Sequence, residues 1–143
     1  MHAQDWAFVA VDWNGTVVPF FGRPAHRDAL ATLSRVRESG MPLFVVSRAP
    51  QAVIAADVAR IGLAVDGVIG CLDKAPVLSD LRAQHGAGVL IGDTTADLRA
   101  AEAAGVDFLQ ARLEGEDALL GVVSFTDWVE IAPHLLAEDE RQG

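Results

Sequence analysis

Short apolar runs alternate along the chain with stretches whose apolar residues recur at helical spacing. Phe8–Val11, Met41–Val46, Val65–Ile69, Gly88–Ile91 and Val106–Leu109 read as buried strands. Between them, Pro24 to about Ser39 places Leu30, Leu33 and Val36 on one helical face. Pro50 to Ile61 does the same with Val53, Ile54, Val58 and Ile61. Asp73 and Lys74 open a third helix through about Gln84, with Val77, Leu78 and Leu81 turned inward; Leu98 to Ala104 is a fourth. A last helix, capped by Thr126 or Asp127, carries Trp128, Ile131, Leu135 and Leu136, and Pro133 is expected to kink or divide it. Gly40, Gly62 and Gly105 stand where helices should stop. Val17 to Phe21, closed by Gly22-Arg23-Pro24, predicts a flap hairpin with Pro19, Phe20 and Phe21 near its tip, and residues 137–143 should fray. Strands alternating with helices imply βαβ crossovers. The expectation is one domain over residues 1–143: a three-layer α/β/α fold with a five-stranded parallel sheet and no large cap domain.

The apolar runs end on polar residues, and open parallel sheets place their chemistry at such ends. The first run stops at Asp12, followed by Asn14, Gly15 and Thr16; the second stops at Ser47, with Arg48 beside it. Lys74 stands near a helix N-terminus. The fourth run ends in Gly92-Asp93-Thr94-Thr95-Ala96-Asp97, and Asp93 and Asp97, four residues apart, project to one side.

Composition narrows the function. Twenty acidic residues against eleven basic ones, a net charge of −9, argue against a nucleic-acid partner. All the basic residues are Arg except Lys74, which favours a chemical reason for that lysine, because an ammonium is a compact point charge and a guanidinium a planar fork. Cys71 is alone, which leaves no intrachain disulfide or cysteine-based zinc site, and it reads as a buried thiol in preference to a reactive one. No apolar run approaches the roughly 18 residues of a membrane span and no leader opens the chain, so a soluble, cytoplasmic protein without a membrane partner is expected. Trp6, Trp13 and Trp128 read as packing residues, and His2, His26, His85 and His134 are too scattered for a metal cluster.

Taken in order, Asp12-Trp13-Asn14-Gly15-Thr16, Val45-Val46-Ser47, Lys74 and Gly92-Asp93-Thr94-Thr95-Ala96-Asp97 resemble the four motifs of the haloacid dehalogenase superfamily of phosphohydrolases. The match covers residues 8 to about 110. The resemblance implies a Rossmann-like fold and a Mg²⁺-dependent phosphomonoester hydrolase acting on a small phosphorylated metabolite. It makes Asp12 a nucleophile that becomes an aspartyl phosphate and also a Mg²⁺ ligand, with the Asn14 backbone carbonyl and Asp93 as further ligands. Asp97 would hold a metal-bound water or support Lys74. Ser47 and Lys74 would contact the phosphoryl group as catalytic and substrate-binding groups, and Thr16, bracing the loop, would join them on the substrate side. Arg48 is a further substrate contact suggested by its place beside Ser47. The short gaps between motifs imply an open site, or one covered by a second copy of the chain in a homo-oligomer.

The departure is Asn14, where the family's phosphatases usually carry the Asp that protonates the leaving alkoxide and then activates water. An amide donates a hydrogen bond but does not shuttle a proton at neutral pH. Three outcomes follow: a slow phosphatase with another proton source, a protein that rests as a phospho-aspartate or passes the group to an acceptor other than water, or chemistry with no alkoxide to protonate. A catalytically weakened member that binds Mg²⁺, phosphate or a partner protein is the alternative to an enzyme. A response-regulator receiver domain fits less well, because it needs a Lys after strand five and none follows Lys74; no Gly-x-Gly-x-x-Gly follows the first strand to support dinucleotide binding.

Overall fold

The computed structural model describes residues 5–136. Six parallel strands form one sheet in the order β3-β2-β1-β4-β5-β6: β1 Phe8–Val11, β2 Leu43–Ser47, β3 Gly67–Gly70, β4 Gly88–Gly92, β5 Asp107–Ala111 and β6 Ser124–Phe125. The helices are α1 Ala29–Glu38, α2 Gln51–Ile61, α3 Lys74–His85, α4 Thr95–Ala104 and α5 Trp128–Leu135.

Alternation along the strands divides the core in two. Val9 and Val11, with Leu43, Val45, Val89 and Ile91, face a layer built by α1, α2 and α5. Phe8, Ala10, Phe44, Val46 and Leu90 face α3 and α4. Strands buried on both faces carry apolar residues at successive positions, which is why these runs lack a polar period. The chain leaves β1 to one side through β2 and β3, then returns to place β4 against the other edge of β1. That reversal opens a crevice beyond the strand ends. Asp12 follows β1 and Asp93 follows β4, so the two carboxylates flank it.

Several expectations need correction. The sheet has six strands, not five; the two-residue β6 pairs Ser124 with Gln110 and Phe125 with Ala111 and is too short to leave a periodic signal. The expected flap hairpin is absent among the described residues. The Trp13 carbonyl accepts from the N–H groups of Thr16, Val17 and Val18 at 3.1, 2.9 and 3.2 Å, which coils the chain and carries both valines into the core instead of out along a strand. A single bridge joins Asn14 to Val18, and bends and turns continue to α1. Of the kink or division expected at Pro133, the division does not occur: the last helix runs through it to Leu135, and the Leu136 N–H still reaches the Ala132 carbonyl at 3.1 Å. The first helix also starts later than Pro24, after Asp28 at φ 63°. His2 and the stretch 137–143 lie outside the described residues. No helix among the described residues is long and apolar enough to cross a membrane.

Candidate active site

Asp12, Asn14, Ser47, Arg48, Lys74, Asp93 and Asp97 line one pocket of about 230 Å³ at the C-terminal edge of the sheet, together with Thr94 and Ala96. Lys74, on the first turn of α3, is buried and donates to Asp12 Oδ1 at 2.8 Å and to Asp97 Oδ1 at 2.7 Å. One ammonium thus bridges the carboxylate after β1 to the carboxylate on α4. Asp97 is fixed from its other oxygen, which accepts from the Asp93 and Thr94 N–H groups at 3.2 and 3.4 Å, while Thr94 Oγ1 caps the helix by accepting from the Asp97 N–H at 3.2 Å. This capping box satisfies N–H groups that a helix start leaves without partners. Thr16, expected to contact substrate, lies behind the site instead. It is fully buried, does not line the pocket, and its hydroxyl donates to Asp12 Oδ2 at 3.4 Å.

Two glycines let the carboxylates approach so closely. A Cβ on Gly15, whose φ of +81° already disfavours other residues, would collide with the Asp93 carboxylate. A Cβ on Gly92 would stand 2.7 Å from Asp97 Cγ. These glycines bring the motif loops to within carboxylate contact of one another.

The crowding shows in the acidities. Burial pushes Asp12 above its ordinary range; Lys74 pulls it back and Asp97 raises it again. Asp93 is raised from 3.8 to about 8 by burial first and then by the neighbouring Asp12 and Asp97 carboxylates. Burial opposes the charge on Lys74, but the two carboxylates outweigh it and hold the ammonium above its usual value. Carboxylate oxygens of Asp12, Asp93 and Asp97 lie within 4.8 Å of one another, and the buried Asn14 Oδ1 has no hydrogen-bond partner among the described residues. An all-oxygen, anionic donor set of this kind fits a hard divalent cation such as Mg²⁺. Such a cation would relieve the cost of ionising the three carboxylates together.

Several supporting groups escaped the sequence reading. Trp13, between Asp12 and Asn14, is fully buried and donates its indole N–H to Asp57 Oδ2 at 2.7 Å. Asp57 also accepts from the Gly22 N–H at 3.1 Å and from Arg60 Nε at 2.7 Å, and these partners, the Arg60 hydrogen bond first, lower its pKa. Trp128 Nε1 donates to the Thr16 carbonyl at 3.1 Å. Both tryptophans therefore pack, as expected, and also pin the loop that carries Asp12. The visible signal for Asp57 was its place on the apolar stripe of Ile54, Val58 and Ile61, where a charged residue needs buried partners. Glu114 and Glu116, on the loop after β5, come within 4.8 Å of the Asp93 carboxylate, a proximity with no sequence period behind it.

No protein-family model matches the chain. A 4-hydroxy-tetrahydrodipicolinate synthase from Jannaschia sp. (strain CCS1) is 27% identical over 148 residues, covering 96% of this chain; the chain spans only 43% of that relative's length. A HAD-superfamily hydrolase from Ehrlichia chaffeensis superposes with a TM-score of 0.75 at 13% identity, over 94% of this chain and 97% of that one. D,D-heptose 1,7-bisphosphate phosphatase from B. bronchiseptica, crystallised with magnesium and phosphate, superposes with a TM-score of 0.67 at 17% identity, over 87% and 95% of the two chains. The cobalt-bound deoxy-D-mannose-octulosonate 8-phosphate phosphatase from Haemophilus influenzae gives 0.66 at 17% identity, over 94% and 89%. With its parallel sheet, its switch point between β1 and β4 and these superpositions, the chain has the fold of the haloacid dehalogenase superfamily.

Proposed function

We propose that this protein is a Mg²⁺-dependent phosphomonoester hydrolase that works through a covalent phosphate on Asp12, acting on a small phosphorylated metabolite. The observation that carries this reading is the convergence of Asp12, Ser47, Lys74 and Asp93, from four separate segments, on one pocket with Lys74 bridging Asp12 and Asp97. The phosphatases with this fold that were crystallised with magnesium and phosphate, or with cobalt, support it.

Asp12, Asp93 and the Asn14 carbonyl would hold the cation, which when bound offsets the charge of the phosphoryl oxygens. Lys74 holds Asp12 in place and favours its ionised form against the cost of burial. The Asp12 carboxylate oxygen forms a bond to phosphorus as the ester P–O bond breaks, and the alkoxide leaves with a proton drawn from solvent at the open pocket mouth. Water then attacks phosphorus, releases inorganic phosphate and returns Asp12 as a carboxylate. Ser47, at the end of β2, donates its hydroxyl to a phosphoryl oxygen. Asp97 positions Lys74, consistent with both of its oxygens being engaged by Lys74 and the backbone.

Asn14 favours a second reading of the same site. With an amide where an acid–base carboxyl would serve both half-reactions, the aspartyl phosphate is long-lived, or is passed to an acceptor other than water. Hydrolysis of an aryl phosphate by the intact protein tests the main reading. Activity should require Mg²⁺, stop with EDTA and vanish in Asp12→Asn; metal-independent activity that survives Asp12→Asn would overturn it.

A further inference from the structure

The pocket continues past Ser47. Arg48 is exposed and lines three adjoining spaces: the 230 Å³ pocket of Asp12 and Lys74, a second of about 230 Å³ beside Asp73 and Ala100, and an open cleft of about 330 Å³ beside Pro50 and Cys71. Leu72, 93% exposed, stands between the second space and the cleft and lines both.

The polar capacity of these walls is largely committed. Lys74 gives two of its three N–H donors to Asp12 and Asp97. Gln51, in the cleft wall, donates from Nε2 to the Val68 carbonyl at 2.7 Å and accepts from the Gly70 N–H at 2.6 Å. Burial pushes the Cys71 thiol up, so it stays neutral, and it points its hydrogen at the Ser47 carbonyl 3.6 Å away. Gly70 packs so close to the Ala49 carbonyl that any side chain would collide with it, which fixes the cleft floor. Arg48 has no hydrogen bond or ion pair among the described residues and is the uncommitted cation at the junction of the three spaces. A guanidinium with free donors beside a phosphate pocket matches a planar or tetrahedral oxyanion. The adjoining cleft, walled by Ala49, Pro50, Cys71 and Leu72, matches a weakly polar body.

We propose that Arg48 recognises a second anionic group, a carboxylate or another phosphate, on a phosphomonoester whose weakly polar body lies in the cleft beside Pro50, Cys71 and Leu72. This rests on the phosphohydrolase reading of the site and adds a substrate class to it. One pocket binds the phosphoryl group that is removed; Arg48 selects what is attached to it.

Three aryl esters with the same ring test this: phenyl phosphate, 3-carboxyphenyl phosphate and resorcinol bisphosphate. The wild-type protein should prefer at least one of the two doubly anionic esters over phenyl phosphate by about 10-fold in kcat/KM, carried by KM. Arg48→Ala should erase that preference, and Arg48→Lys should restore only part of it, because a point charge lacks the fork. Whichever doubly anionic ester is preferred identifies the second group. A preference that persists in Arg48→Ala overturns the proposal, and so does an equal loss on all three esters, which would place the guanidinium on the transferred phosphoryl group. Calorimetric binding of phenyl phosphate and 3-carboxyphenyl phosphate to the Mg²⁺-loaded Asp12→Asn protein, with and without Arg48→Ala, reads the same discrimination without turnover. Failure of all three esters to be hydrolysed counts against the phosphohydrolase reading, whereas equal affinity of the two ligands in calorimetry counts against Arg48 alone.

Discussion

A carboxamide at position 14 can donate to a leaving oxygen but cannot release a proton to it, so in the proposed reaction the cost falls on esters whose alkoxide is a strong base. General acid–base help contributes roughly 10²- to 10⁴-fold. Asn14→Asp should therefore raise kcat most for alkyl phosphates and least for nitrophenyl phosphate; a uniform change across leaving groups would show that proton transfer is not what Asn14 withholds. Gly15 is a second residue with a disproportionate role. Its φ of +81° costs a residue with a Cβ about 1–2 kcal/mol. The added methyl also meets the Asp93 carboxylate. Gly15→Ala should lower the melting temperature modestly and weaken divalent-cation binding more severely, a split that calorimetry with Mg²⁺ and a thermal melt together resolve. A loss of stability with unchanged cation affinity would mean that Asp93 had room to yield.

Among the elements, α2 does more than cover the sheet. Its Asp57 gathers the Trp13 indole, the Gly22 N–H and the Arg60 guanidinium, so one carboxylate ties the loop after β1 to the segment beyond it. Asp57→Ala leaves a buried indole N–H without an acceptor and should destabilise the fold by about 1–3 kcal/mol, with kcat falling as the Asp12 loop loosens. Asp57→Asn, which can still accept from Trp13, should be milder on both counts in denaturant melts and steady-state assays. Elements of this kind mark where sequence reading stops. The strands up to β5, the helices and the polar residues at strand ends were legible because burial on both faces and helical spacing leave direct traces in the order of residues. Asp12, Ser47 and Asp93 could be named from strand ends and Asp97 from helical spacing, while Lys74 stood out as the only lysine. The coil from Trp13 to Val18 was not legible, since Val17 and Val18 suit a strand as well as a core. Nor were β6, with two residues, and the indole contacts, because the partners lie 44 and 112 residues apart.

At the scale of the whole molecule, the reversal of strand order at β1 and β4 gathers three carboxylates at one edge of an already acidic chain. Asp93 ionises at about 8 in the folded protein against 3.8 ordinarily. Between those values the folded state binds more protons than the unfolded one, so this group makes stability fall as pH rises through that window. Asp12, also raised, acts in the same direction. The metal-free protein should therefore lose stability from about pH 5 to about pH 8, and Mg²⁺ should recover it most at the upper end, because the ion binds the ionised folded site. Melting curves that are indifferent to Mg²⁺ at every pH would contradict a shared cation site. The proposed reaction turns on the bond between Asp12 and phosphorus. Its most direct test is a single-turnover reaction with Mg²⁺ and an aryl phosphate, quenched in acid and read by intact-protein and peptide mass spectrometry. An adduct of about 80 Da, one phosphoryl group, should appear on Asp12 before inorganic phosphate is released. Phosphate released with no protein-bound phosphoryl group at any time, or an adduct on another residue, would contradict it.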